Sequence, residues 1–383
     1  VGENPEITSK DYLSLYTDSF VDSRMLVENA HNIKGSPVKA SKYYLQNESF
    51  QQFKDSLTKE DYVIVEACAN AFWFYDQIKD LVKECYILDV NKYRANINKT
   101  DKIDGKRLVK KLAYYVIMNG DSNDLPLVYV PPKEVRELRA LFSTYKLNKK
   151  AINQFKNRIH SVFTENGIDI LKKQLSNPEY RSELLKFPIS NIWKVQLESL
   201  LFQLEIIEQE TEKIKQMIHE LGYRLFQEEV ELLLSIKGFS PLTAIALMSD
   251  VVDINRFPSV KKFCAYLRTA PRVKSSNDKT VIGPTNRYSR SLTCTLMSQS
   301  VEHFAQSGEH LGSFYVRVKK GKRASVSRMA LIRKTLVCAY YMLKRKKEFY
   351  WVDEKLYHAK LKALRNTVSS KSIEKTTPKK SVA

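Results

Sequence analysis

Residues 12–18, YLSLYTD, alternate apolar and polar side chains, which is the period of a half-buried strand. Residues 24–30, RMLVENA, supply a hairpin partner, and residues 48–57 carry a helical pattern. YVIV at 62–65 is a short, wholly apolar strand that ends in Glu66. An aromatic-rich helix is predicted over 69–82 and a further strand, CYILDV, over 85–90. Strands alternating with helices imply a mostly parallel sheet with helices packed on it. Ligands of such sheets gather at the carboxyl ends of the strands, where Glu66 stands.

Beyond residue 132 the period changes to that of helices. Residues 133–167 place Val135, Leu138, Leu141, Ile152, Phe155 and Ile159 on one face, with lysines and arginines on the other. Residues 192–221 show near-heptad spacing from Val195 to Leu221. That pattern fits either an antiparallel helix pair within one subunit or a coiled coil between subunits. LLLSIKGFSPLTAIALM, 232–248, reads as helix, tight turn at Gly238, then a helix opened by Pro241. It is either a helix-hairpin-helix, whose second helix start can hold a phosphate, or a plain helical hairpin. Polar and turn residues then crowd 273–292, and residues 369–383 have the composition of a disordered tail.

Charge narrows the class of partner. Sixty-three Lys and Arg against 43 Asp and Glu give a net charge of +20. A polyanion would relieve that self-repulsion, so nucleic acid is the leading partner and an anionic membrane surface the second. No apolar run is long enough to span a bilayer, and no basic-then-apolar segment opens the chain. Five scattered cysteines form no C-x-x-C pair, which fits a reducing cytoplasm, with the protein associated with the nucleoid. Candidate nucleic-acid contacts are Lys279, Arg287, Arg290, Lys319, Lys320, Lys322, Arg323, Arg333 and Lys334, with aromatics interleaved.

The candidate chemistry lies in an acidic island, NKTDKIDGKRL, 98–108. Asp101 and Asp104 are three apart, on one face of a helix if one starts there. Carboxylates that close repel unless a cation lies between them, and hard divalent metals take oxygen ligands. The alternative is a solvated helix N-terminus, where the macrodipole favours Asp. With Glu66 they make three acids on a sheet of the ribonuclease-H-like nuclease kind, in which two metals flank a phosphodiester.

VIVEACANAFW followed by NKTDKIDGKRL resembles the strand-end glutamate and K-T-D-x-x-D island of the DEDD transposases. This family comprises the pilin-gene inverting recombinases and the bridge-RNA-guided insertion-sequence recombinases, and its N-terminal domain resembles the RuvC resolvase. The resemblance makes Glu66, Asp101 and Asp104 the second, third and fourth acids, holding Mg²⁺. At the first acid position this sequence has Asn4 in one register and Glu6 in another. Asn cannot supply a carboxylate's charge, so activity depends on that position.

The resemblance continues through RELRAL and FKNRIH, then IKGFSPLTA, RFPS, APR and SSNDKT. It aligns the family's catalytic serine with Ser276, read as a loop residue, and leaves Ser275 as the competitor. It implies a serine activated beside the metal-bound acids and joined to DNA as a phosphoserine. The expected architecture is α/β plus α: a RuvC-like domain over 1–132, a helical coiled-coil spacer over 133–228, a mostly helical transposase domain with a helix-hairpin-helix over 229–350, and a basic, partly disordered tail over 351–383. The expected partners are DNA, a structured bridge RNA and further copies of the chain as a dimer or tetramer, without a membrane. Rival readings are a protein-only invertase, a non-catalytic nucleic-acid binder and a RuvC-like junction nuclease.

Overall fold

The computed structural model describes residues 12–17, 25–32, 37–44, 48–89, 108, 111–116, 125–276, 279–285 and 290–374. The chain divides into two units, Val1–Val130 and Pro131–Ala383. The second makes the molecule predominantly helical.

The first unit is a five-stranded sheet in the order β3-β2-β1-β4-β5. Its strands are β1 Tyr12–Thr17, β2 Met25–Asn32, β3 Pro37–Tyr44, β4 Tyr62–Glu66 and β5 Glu84–Leu88. β1, β2 and β3 pair antiparallel, whereas β1, β4 and β5 are parallel. The sheet is therefore evenly mixed, not mostly parallel as expected. The difference is β3, which the sequence reading passed over: PVKASKYY has few large apolar residues and opens on proline, which suits an edge position.

β4 shows why the core has two sides. Val63 and Val65 pack with Phe50 and Phe53 of α1 (Glu48–Asp55) and with Phe74 and Ile78 of α2 (Ala71–Ile78). Ile64 turns to the other face and packs with Leu88, Leu108, Leu112 and Leu125. A strand covered on both faces must be apolar throughout, hence the unbroken YVIV run. Leu108 is helical, as are residues 111–116, which include Leu112.

The second unit is built on a pair of long helices, α3 (Lys133–Glu165) and α5 (Asn191–Leu225), with the short α4 (Pro178–Leu184) between them. They run antiparallel: Arg224 meets Glu134 at one end, and Lys156 meets Glu208 towards the other. The intrachain pair left open by the sequence is therefore present. Leu197, Leu204 and Ile218 of α5 are fully buried, with a spacing in multiples of seven.

One end of this pair shares a large core with the helices that follow. These are α6 (Gln227–Leu234), α7 (Pro241–Val251), α8 (Val260–Tyr266), α9 (Leu292–Gln299), α10 (Val301–Ala305), α11 (Glu309–Gly321), α12 (Ala324–Arg345) and α13 (Glu354–Glu374). Between α8 and α9 stands a two-stranded antiparallel hairpin, β6 (Pro271–Ser276) and β7 (Lys279–Thr285). The segment expected as a tail instead starts with helix α13, because Tyr357, Leu361 and Leu364 recur at helical spacing and bury in the core.

Candidate functional site

Glu66 is the last residue of β4 and pairs with Leu88, the last of β5. Side chains alternate along a strand, so Glu66 shares the face of Ile64, which Leu108 and Leu112 cover. It thus stands at the carboxyl edge on the face that the helix after the acidic island packs against. Asp101 and Asp104, like Asn4, Glu6 and Arg287, lie outside the described residues. Asp89, half-buried just past β5, is a neighbouring strand-end acid that the sequence reading did not single out. Its signal was the one used for Glu66, a carboxylate directly after an apolar strand. Its backbone N–H donates to Pro126 O at 2.8 Å. Among the described residues, no three His, Cys, Asp or Glu gather as a metal site. The donor set named by the sequence consists of carboxylates, which suits a hard cation such as Mg²⁺.

In the second unit Ser276 and Lys279 are partners at the tip of the β6–β7 hairpin. The serine is therefore a strand-end residue, not the loop residue expected. The missed signal was local: RVKSS and KTVIGPT carry β-branched residues on either side of Asn277-Asp278, a hairpin pattern.

The hairpin is anchored at both roots. At its entry Thr269 donates through N and Oγ1 to Cys264 O at 3.0 and 2.9 Å. At its exit Arg290 donates from N to Tyr266 O at 3.0 Å and from Nε to Asp250 Oδ1 at 2.7 Å. Asp250 is fully buried near the end of α7, and its other oxygen accepts from Thr293 Oγ1 at 2.8 Å. Around it, Arg139 donates to Ser249 O and Asp250 O, and Arg256 to Val251 O. These guanidiniums meet the negative end of the helix dipole. Burial, with neighbouring Arg290, holds Arg139 below its ordinary pKa. Arg290, named from sequence as a nucleic-acid contact, thus has its Nε committed to a structural ion pair. Asp250 gave no sequence signal, being one acid in an apolar helix.

The helical hairpin forms as the sequence suggested, with one change of cause. Pro241 opens α7, and Ser240 Oγ caps it by accepting from Thr243 N at 3.2 Å. Gly238 does not have positive φ. A Cβ there would collide with the Phe304 ring, so close packing, not turn geometry, requires glycine. Beneath the turn, Lys360 Nζ donates to the carbonyls of Leu234, Ile236 and Lys237 at 3.2, 3.1 and 2.9 Å. Burial draws its pKa down to about 8.

The named cations at the α11–α12 elbow face solvent. Lys319, Lys320, Lys322 and Arg323 are exposed, and Ser327 Oγ fastens the bend to Arg323 O at 3.2 Å. Arg333 is exposed and Lys334 half-buried on α12; Lys279 begins β7. Lys319 Nζ lies 5.7 Å from the Tyr315 ring centroid. No disulfide joins any of the five cysteines, and burial raises the thiol pKa of Cys85, Cys264, Cys294 and Cys338, which makes these poor nucleophiles. Among the described residues, no helix is long and apolar enough to cross a membrane.

Residues 230–316 match the family model described as Transposase IS116/IS110/IS902 family. The matched stretch runs from α6 through the β6–β7 hairpin into α11. No curated protein matches the chain.

Proposed function

We infer that the protein is a transposase or recombinase with DNA as a partner, a reading that the family match over residues 230–316 supports. From that premise we propose that the protein cuts and rejoins DNA through a phosphoserine at Ser276, guided by a structured bridge RNA. The observation that carries this reading is the matched stretch itself, since it contains the rigidly rooted hairpin that bears Ser276 at its tip.

The first unit supports the metal-binding half of the reading. A sheet in the order β3-β2-β1-β4-β5, with antiparallel β1–β3 and parallel β1, β4 and β5, supports a ribonuclease-H-like reading of this unit. Glu66 stands at its carboxyl edge, and Asp104 precedes buried Leu108 by four residues, a tether of at most about 14 Å. Glu66, Asp101 and Asp104 would hold Mg²⁺, with Asn4 or Glu6 at the first position; a bound cation there supplies positive charge against a phosphodiester.

The serine step balances without ATP. Ser276 Oγ bonds to phosphorus, one phosphorus–oxygen bond to deoxyribose breaks, and the hydroxyl proton ends on the departing sugar oxygen. Attack by a sugar hydroxyl on the phosphoserine reverses the step and frees the serine. The high positive charge accommodates RNA and DNA together.

Assembly of two or four copies fits α5. Ile192, Val195, Phe202, Ile206 and Met217 are exposed on it. At 100° per residue they fall within about 80° of arc, opposite the Leu197–Leu204–Ile218 face. This second seam suits the same helix of another copy.

The test is a denaturing gel of the protein with Mg²⁺, its copurifying nucleic acid and labelled DNA flanking its own gene. A protein–DNA adduct lost in Ser276→Ala and kept in Ser275→Ala is the expected result. An adduct that appears only after Asn4→Asp identifies the chain as an inactive nucleic-acid binder. Cut DNA without adduct, unchanged in Ser276→Ala, overturns the serine assignment in favour of a junction nuclease. Adduct formation by protein stripped of RNA identifies a protein-only invertase.

A further inference from the structure

A second feature of the helical unit lies apart from the serine hairpin and the acids. Beside the first turns of α11 is an open cleft of about 560 Å³, lined by His310, Phe314, Arg317, Lys334 and Trp351, with Glu309 the acidic residue among them. The volume lies in the range of small-ligand sites. Its lining is aromatic and cationic rather than aliphatic. The His310 and Trp351 rings are nearly parallel, 5° apart in plane and 5.5 Å between centroids. Arg317 and Lys334 both lie over the Phe314 ring, at 5.8 and 5.9 Å.

The aromatic platform is held in place. Trp351 remains 43% exposed although it packs on Phe349 at 5.6 Å and Tyr350 at 5.0 Å. Phe349 is itself tied down, its N–H donating to Ser235 Oγ at 3.0 Å. Gly308, at φ +94°, makes the close approach possible, because a Cβ there would stand 2.7 Å from Trp351 Cβ. A left-handed residue and a buried anchor thus keep a large ring at the surface, where it gains little from burial.

We propose that this cleft takes an unpaired nucleotide of a nucleic-acid strand, with its base against the aromatic rings and its phosphate on Arg317 and Lys334. A base within a duplex is stacked on both faces, so only an unpaired one can offer a face to the rings. A strand fits better than a free nucleotide because the cations continue. Arg317 and Lys320 follow Phe314 at three-residue steps along α11, and Lys322 and Arg323 lie beyond. An RNA loop and a DNA strand displaced from its duplex present the same chemistry. The inference rests on nucleic acid as the partner, and does not depend on the serine or the acids.

Fluorescence anisotropy of the full chain tests it, using labelled 20-nucleotide oligo-dT and oligo-rU and a blunt 20-base-pair duplex. Trp351→Ala and His310→Ala are expected to weaken single-strand binding about tenfold, leaving duplex binding unchanged. Trp351→Phe, which keeps a ring, is expected to retain most of the affinity. Arg317→Ala and Lys334→Ala should each reduce the single-strand salt slope by about 0.7. A loss confined to oligo-rU identifies RNA as the occupant, and one confined to oligo-dT identifies DNA. If exposed His310→Ala and Trp351→Phe melt like the wild type and Trp351→Ala and His310→Ala bind both strands as the wild type does, the cleft is not a nucleotide site. Equal losses for strands and duplex overturn it too. A wild type that binds none of the three probes would overturn the nucleic-acid reading itself, an outcome distinct from failure of the cleft alone.

Discussion

Several side chains mean something different in the fold than in the sequence. Gly238 looked like a turn residue, and the structure makes it a seat for Phe304. Gly238→Ala should therefore cost about 2 kcal/mol by overpacking, read as a lower denaturant midpoint at unchanged slope. His219 carried no motif, yet on α5 its Nε2 is buried without a hydrogen-bond partner. Burial, then Lys215, lowers its pKa from 6.5 to about 4. In that interval the unfolded state binds the proton and the folded state does not, so stability is full above pH 6.5 and falls as pH drops towards 4. His219→Leu should flatten that acid limb, worth on the order of 2–3 kcal/mol for the wild type. Urea melts at pH 7 and pH 4.5 give the test, and an unchanged difference between the two would assign the acid limb to other groups. The place of Glu66 at a strand end was legible because the apolar run YVIV stops at it. Asp250 was not legible, because its partners Arg290 and Thr293 are remote in sequence and only the fold brings them together.

At the scale of elements, period proved the best guide where one face alone is buried. α5 is the exception that instructs. Its heptad spacing reads as one seam, but Leu197, Leu204 and Ile218 serve α3 while Ile192, Phe202 and Met217 lie on the far side. A linear string of apolar residues cannot say how many partners share it; only the arc on which each lies does. Phe202→Glu with Ile206→Glu should leave the α3–α5 pair intact, with unchanged helical circular dichroism. It should reduce the mass seen by sedimentation to that of a smaller assembly. An unchanged mass would mean that this seam holds no second copy. β3 and the β6–β7 hairpin were missed for the opposite reason. Their strands are largely polar, and what holds them is pairing, with anchored roots for the hairpin, rather than a strong apolar alternation.

For the whole molecule, the change of period near residue 132 and the change of architecture at Val130 fall close together. Alternating strands and helices gave way to helices interrupted by the β6–β7 hairpin, a contrast mostly visible in the sequence pattern. The order of the sheet was visible only in part: the β1–β2 hairpin was read from the sequence, whereas β3 beyond it and the parallel pairing of β1 with β4 were not. The positive charge pointed to a polyanion, while the rings that would read an unpaired base lie too far apart in sequence, at 310, 314 and 351, to be seen as one cleft. Lys360 adds a matter of timing. It caps carbonyls made 123 to 126 residues before it. A ribosome therefore delivers the helical hairpin well before the residue that closes its turn. Until α13 emerges, those carbonyls stay with water and the seats of Tyr357, Leu361 and Leu364 stand open. Synthesis itself thus sets an interval in which the helical hairpin exists but the helix that supports its turn does not.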